Sequence, residues 1–398
     1  SLKFKVILFG FIFTFFSSFG QSYFLGIFNS SIRETLSITH GQFGSIYASA
    51  TLCSSLLLIW VGKKIDDVNV FKFALFVIIL LSFACFFFSK VSSVLLLFIG
   101  IFLMRFSGQG MMSHTASTTI SRYFTKTRGK ALSVSWFGLS SAEFILPVLM
   151  VYLLTIIDWQ NLWIIFSITV LVVLPIASFL LIKNLNLDSR EANDENIKQV
   201  EIKQWKRKEV IKDYRFYIIS LNMLAMPWIF SGFAVFQSFV QTSKGWGPYV
   251  IAQSFMSYSI FSVLTLFLSG FLIDKFSSRK LLIYMNIPLL LATIILFFFE
   301  TPITAFIFLG LVGSSNGFAN ILGSSTWAEL YGVKYLGSIK ALSTALMVFA
   351  TAFGVALFGF LIDIGFSVGD IATVSGIYIF ISLILLFLVR KKLNPVII

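Results

Sequence analysis

Charge is what this sequence has least of. Only 12% of its 398 residues are Asp, Glu, Lys or Arg, about half of what a soluble chain carries. That shortage excludes a water-soluble globule. Cysteine is scarce as well. Cys53 and Cys85 both fall in apolar runs and no outer loop carries one, so no disulfide framework is expected and each reads as a small buried hydrophobe. No G-x-x-x-x-G-K-[ST] run occurs, so the chain has no nucleotide drive of its own. Metal-ligand spacings, nucleophile–base sets and catalytic carboxylate pairs are also missing. The chain is therefore not expected to be an enzyme, and no cofactor or metal is expected. The first apolar run is too long for a signal-peptide core and lacks a cleavage site, so it reads as a first span.

Apolar runs of about 20 residues fill the rest, each long enough to cross a hydrocarbon layer of about 30 Å. Mean hydropathy is +0.93. Blocks such as "FALFVIILLSFACFFF" do not alternate, which excludes a barrel. The expected fold class is an all-α membrane protein with twelve transmembrane helices. The spans are placed at 6–29, 43–62, 70–89, 93–121, 130–155, 161–182, 215–240, 249–272, 280–299, 302–327, 337–361 and 371–390. Residues 183–214 form the only long polar stretch. It separates a six-helix bundle over 1–182 from a second over 215–398, and it reads either as a solvated linker or as one holding a short amphipathic helix around Ile197–Ile211.

The net charge of +13 does not point to nucleic acid, because its distribution follows a topology rule. With both termini placed inside, 26 of the 30 Lys and Arg lie on that side and only Arg33, Lys90 and Lys244 lie outside. The positive-inside rule then predicts a multi-pass protein of the cytoplasmic (inner) membrane with both termini cytoplasmic.

The halves repeat. "GKKID" at 62–66 and "GFLID" at 270–274 share an offset of 208 residues, as do Gly129 and Gly337. Such an offset implies two similar six-helix bundles related by a pseudo-twofold axis. The loop "SGFLIDKFSSRK" resembles the G-x-x-x-D-[RK]-x-G-R-[RK] loop of the major facilitator superfamily, with Ser277 or Ser278 at the glycine position. "GKKIDDVNVFK" is a degenerate copy, "RFSGQG" resembles that family's arginine–glycine motif, and "GLSSAEFILP" its glycine–proline motif. The segment from "ELYGVKYLGSIK" to "FGFLID" looks most like the monocarboxylate-porter and oxalate/formate-exchanger branch. The resemblance implies alternating access, a monomer, and a central cavity lined by spans one, four, seven and ten. It also implies a conformational latch made by Asp66 and Asp274 with Arg128, Arg279 and Lys280.

Two charges lie deep: Arg105, about 18 Å into span four, and Glu143, about 20 Å into span five at 1.5 Å per residue. The two helices run in opposite directions, so both residues sit near the midplane, where an ion pair or a shared polar cavity is plausible. On an α-helical wheel Arg105 shares a face with Gly108, Gln109, Met112 and Ala116, with His114 on the opposite side. Arg105 reads either as a fork for a substrate carboxylate or as a brace. A membrane-buried Glu143 can carry a proton, and His114 is a second candidate for proton coupling. An anion that takes Arg105 would then release Glu143 for protonation. Further candidate substrate-binding residues are Gln21, Tyr23 and Asn29 on span one, Trp228 and Gln237 on span seven, and Asn316 with Asn320 on span ten. Span eight carries no cation, so an anion would rest on Arg105.

These readings predict a secondary transporter that moves a small, monocarboxylate-like organic anion by proton symport. A proton-coupled exporter of hydrophobic or cationic compounds, with Glu143 as its acid, is the alternative. A transport-inactive sensor is a third reading, against which the connector is too short for a folded output domain.

Overall fold

A computed structural model describes residues 2–124, 128–185, 202–332 and 335–397. Twelve helices in it are long and apolar enough to cross a membrane: Leu2–Gly20, His40–Val61, Val70–Ser89, Val94–Tyr123, Gly129–Leu153, Trp159–Ile182, Tyr214–Val235, Val250–Phe276, Ser278–Phe298, Ile303–Tyr331, Ser338–Asp363 and Val368–Lys392. They are numbered as spans one to twelve. Polar caps start several of them. Thr39 and Gln42 form a capping box on span two, Asn69 and Ser93 cap spans three and four, and Ser367 with Asp370 caps span twelve. Each cap satisfies N–H groups that the first helical turn leaves unbonded.

The chain divides into two compact units, Ser1–Glu195 with Ala234–Ser238, and Asn196–Phe233 with Phe239–Ile398. In the first, Phe19, Phe24, Phe28, Phe88, Trp163 and Phe166 pack in one aromatic core, mostly edge to face, with ring centroids such as Phe88–Trp163 at 4.7 Å. In the second, Phe216, Trp327 and Tyr331 centre a cluster with Ile219, Leu282 and Leu330. Large apolar side chains left outside these cores, such as Trp60, Phe271 and Leu388, form the belt that a bilayer covers. Cys53 is exposed, beside the equally exposed Leu52, Leu56 and Leu57 of the same helix. It therefore belongs to this belt and not to the core, whereas Cys85 is buried as expected.

Four expected helices are not continuous. Span seven, expected over 215–240, breaks at Phe236 between Tyr214–Val235 and Gln237–Ser243. Span one runs as an α-helix only to Phe16, turns through a 3-10 segment over Ser17–Gly20, and resumes as short helices Ser22–Ile27 and Asn29–Leu36. Span nine is interrupted at Asn286, because Pro288 has no N–H to give the preceding turn. Within the connector, the only helix among the described residues is the single turn Arg207–Val210. Residues 197–201 of the expected amphipathic helix lie outside the described residues. Ile202–Lys206 is not helical because its backbone bonds elsewhere: Lys203 N donates to Val396 O and Trp205 N to Tyr331 O.

Small residues set the closest approaches. In the second unit, a side chain at Gly310 would meet Ser257 Oγ at 2.7 Å and one at Gly317 would meet Leu266 N at 2.8 Å, so this glycine stripe lets spans eight and ten touch backbone to backbone. Lys244 fastens the far end of the same unit. Its ammonium, 3% exposed, donates to Leu296 O at 2.6 Å, Phe299 O at 3.1 Å and Glu300 Oε1 at 2.9 Å. The lysine therefore caps the carbonyl end of span nine. Lys244→Met should lower stability by about 1–3 kcal/mol through the unbonded buried carbonyls, read as a drop in the thermal midpoint of the purified protein. An unchanged midpoint would show that water replaces the cap.

Candidate functional site

The break in span one organises the polar interior of the first unit. Spans one and five meet without an intervening side chain, because a Cβ at Gly138 would run into Phe11 O and Thr14 Oγ1. Thr14 Oγ1 donates to Ser135 O at 2.6 Å across the same contact. Beyond it, the 3-10 turn Ser17–Gly20 lies against "RFSGQGMM" of span four. There a Cβ on Gly108 would sit 2.7 Å from Gly20 N, and one on Gly20 would sit 2.5 Å from Gln109 N. The backbones can come this close only because both positions are glycine.

Span four itself is a π-helix over Arg105–Met112. Wider turns of this kind recur at functional sites, and they alter the wheel drawn for a regular α-helix. Arg105, 3% exposed, donates from Nη1 to Gly20 O at 2.8 Å and lies 5.3 Å from the Tyr47 ring centre. Tyr47 in turn shares a hydrogen bond of 2.8 Å with Ser22. Arg105 Nε is buried and has no partner in the structure.

Glu143, 8% exposed, makes no ion pair or hydrogen bond among the described residues. It lies within electrostatic range of Tyr23, whose hydroxyl is beside Ser18. The Arg105–Glu143 ion pair that sequence depth made plausible is therefore not formed. Arg105 engages span one at Gly20 instead, and Glu143 lies within electrostatic range of Tyr23. His114 donates from Nε2 to Gly62 O at 2.8 Å, a bond that a carbonyl can only accept. It joins span four to the end of span two and stands apart from Arg105.

The other candidates scatter. Asn29 is buried, donates to Val235 O at 2.6 Å, and accepts from Arg33 Nε at 2.6 Å. Gln237 donates to Tyr23 O at 2.8 Å. Both amides stitch the segment Ala234–Ser238 into the first unit. Gln21 and Gln109 are half-buried. In the second unit, Trp228 packs edge-on against Phe353, Phe358 and Tyr378. Asn316 donates to Ser262 Oγ at 2.9 Å, whereas Asn320 is exposed.

The side chains of Asp66 and Arg128 lie outside the described residues. Asp274 and Lys280 are exposed. Arg279 turns to Leu393 O at 3.2 Å and Asn394 Oδ1 at 2.8 Å. The carboxylate that does cap the start of span nine is Glu329, accepting from Ser278 N at 2.8 Å and Arg279 N at 3.2 Å. Glu329, Tyr47 and Ser22 were not singled out from the sequence. Nothing in linear spacing brings the end of span ten to the start of span nine. Tyr47 and Ser22 look like ordinary residues of apolar runs until the break in span one places them beside Arg105. Among the described residues, no group of three His, Cys, Asp or Glu is placed to hold a metal.

Twelve apolar helices in two six-helix halves, with a broken helix against a buried cation, define a helical membrane transporter and not an enzyme. The sequence profile of the Major Facilitator Superfamily matches residues 10–339, and the chain belongs to that family. No curated protein sequence matches it. Its fold is similar to that of a bacterial homologue of the human lysosomal transporter Spinster, with a TM-score of 0.73 and 12% identity over 99% of this chain and 98% of the other. It is likewise similar to the nucleoside transporter NupG, with a TM-score of 0.71 and 15% identity over 99% of both chains. The expected superfamily and fold stand, and transport by alternating access follows from membership of the superfamily.

Proposed function

We propose that the chain carries a small, monocarboxylate-like organic anion together with a proton. The observation that carries this reading is the pair of unsatisfied charges on either side of the break in span one. Arg105 spends one Nη1 bond on Gly20 O and keeps its buried Nε unpaired, so one edge of the guanidinium fork is left to grip a carboxylate. Glu143 is a buried carboxyl with no cationic partner among the described residues, the setting in which membrane carboxyls relay protons. An anion drawing Arg105 off Gly20 O would loosen the 3-10 turn that also positions Ser18 and Tyr23, and so change the surroundings of Glu143. Coupling would thus run through the backbone of span one and not through a direct ion pair. The excess of Lys and Arg on one side supports a cytoplasmic-membrane topology with both termini inside, and the Asp274–Arg279–Lys280 loop is proposed to regroup as a latch during the cycle.

The test is uptake by proteoliposomes of labelled acetate, lactate and pyruvate, with and without an inward proton gradient. Saturable uptake of one of them, raised by the gradient and lost in Arg105→Leu, is expected. Transport confined to a nucleoside or to hydrophobic cations would overturn the anion assignment. Tight binding without any uptake would favour a sensor.

A further inference from the structure

Within the second unit, the end of the connector and the segment that follows span twelve are bound to each other. Lys203 N donates to Val396 O at 2.8 Å, and Ile202 pairs with Ile397 in an antiparallel bridge. Two arginines hold the same segment by its backbone. Arg215 Nη1 donates to Lys392 O at 3.2 Å and Asn394 O at 2.9 Å, while Arg279 Nη1 donates to Leu393 O at 3.2 Å. Three successive carbonyls are thereby read by guanidinium groups, a recognition that depends on the extended backbone and little on side chains.

The connector side is equally fixed. Arg215 is buried and paired with buried Asp213, Nη2 to Oδ2 at 2.7 Å, and Tyr331 donates to Asp213 Oδ2 at 3.1 Å. The Trp205 ring has Lys203 at 4.3 Å and Arg215 at 5.6 Å from its centre, and Gln204 fills the space over Gly332. Glu209 accepts from Lys206 N at 2.8 Å and pairs with Lys203 at 2.9 Å. These contacts, the backbone hydrogen bond first, hold its carboxyl below the usual range.

We propose that residues 392–397 are an intramolecular strap that fastens Ile202–Lys206 to the second bundle, so that this end of the connector travels with the bundle as one body. The strap is held by buried Arg215 and half-buried Arg279, neither of which touches a substrate candidate among the described residues, so it does not depend on which solute is carried.

The experiment is limited trypsin digestion of the purified full chain in lipid nanodiscs, read by mass spectrometry at Lys203, Lys206, Arg207 and Lys208. Slow cleavage is expected in the wild type. Arg279→Gln, and deletion from Leu393 onward, should accelerate it on the order of tenfold, because protection of a backbone segment follows its local opening. Equal rates in all three would overturn the strap. A second measurement guards against misfolded variants. In a Cys53→Ser, Cys85→Ala background, Ile202→Cys with Ile397→Cys should oxidise to an internal disulfide, since opposed residues of a bridge lie about 4.5–5.5 Å apart at Cα. That cross-link should restore slow cleavage in Arg279→Gln. Failure of the pair to cross-link in nanodiscs would count against the strap independently of any transport assay.

Discussion

Glu143→Gln is expected to abolish proton-driven accumulation while leaving solute counterflow close to normal. The glutamine fills the same buried volume and keeps a polar end, but it cannot release a proton. If one proton moves with each solute, a gradient of about two pH units supplies ~2.7 kcal/mol, enough for ~100-fold accumulation. The variant should level off near equal concentrations inside and out. Counterflow, which needs only solute-bound reorientation, should persist because Glu143 makes no described ion pair or hydrogen bond whose loss would damage the fold. The assay is uptake of the anion identified in proteoliposomes at matched protein content, with an imposed pH difference and then with internal unlabelled solute. Retained accumulation in the variant would remove Glu143 from the coupling path. Loss of both activities in a protein that still purifies as a single species would instead make it part of the solute site.

The second large effect is structural. Gly138→Leu should dismantle the first bundle, since the added atoms fall on Phe11 O and Thr14 Oγ1. Backbone cannot yield as a flexible side chain would, so spans one and five must separate. That loses the Thr14–Ser135 bond of 2.6 Å and the close approach that positions the break at Ser17–Gly20. A cost of about 3 kcal/mol or more is expected, at the upper end of overpacking effects. Gly129 is the control. It belongs to the same helix and to a repeated sequence position, yet nothing lies within 4 Å of a Cβ placed there. Gly129→Ala should therefore be neutral or gain about 0.5–1 kcal/mol from reduced backbone freedom. Detergent thermal-shift and size-exclusion profiles of the two variants decide the matter. Equal behaviour would show that the spans can part at little cost.

The contrast between Gly138 and Gly129 shows where sequence reasoning stops. Both glycines stand in recognisable motifs, but only the partner helix makes one of them indispensable. Arg105 and His114 show the same limit. Their presence in an apolar run marked span four as polar inside, and a wheel separated them. The π-helical turns over Arg105–Met112 cannot be read from spacing, and neither can the 3-10 turn of span one that lies against them at Gly20 and Gly108. Trp228 and Asn316, picked for lying on expected cavity helices, are drawn into helix contacts by Phe358 and Ser262.

By itself the sequence determined the solvent. With so few charges and so many apolar runs of bilayer length, the chain has to be a bundle of twelve membrane helices, and the offset of 208 residues required two similar halves. Family membership followed from motifs that survive as local strings. What the tertiary structure alone decided is the pairing of the rare polar groups. Hydrogen bonds and ion pairs act over about 3–4 Å, whereas the residues that meet here are separated by 85 positions in Arg105 and Gly20 and by 177 in Arg215 and Lys392. Hydropathy is a property of each residue and adds along the chain. Partnership is a property of two residues and exists only once the chain has folded.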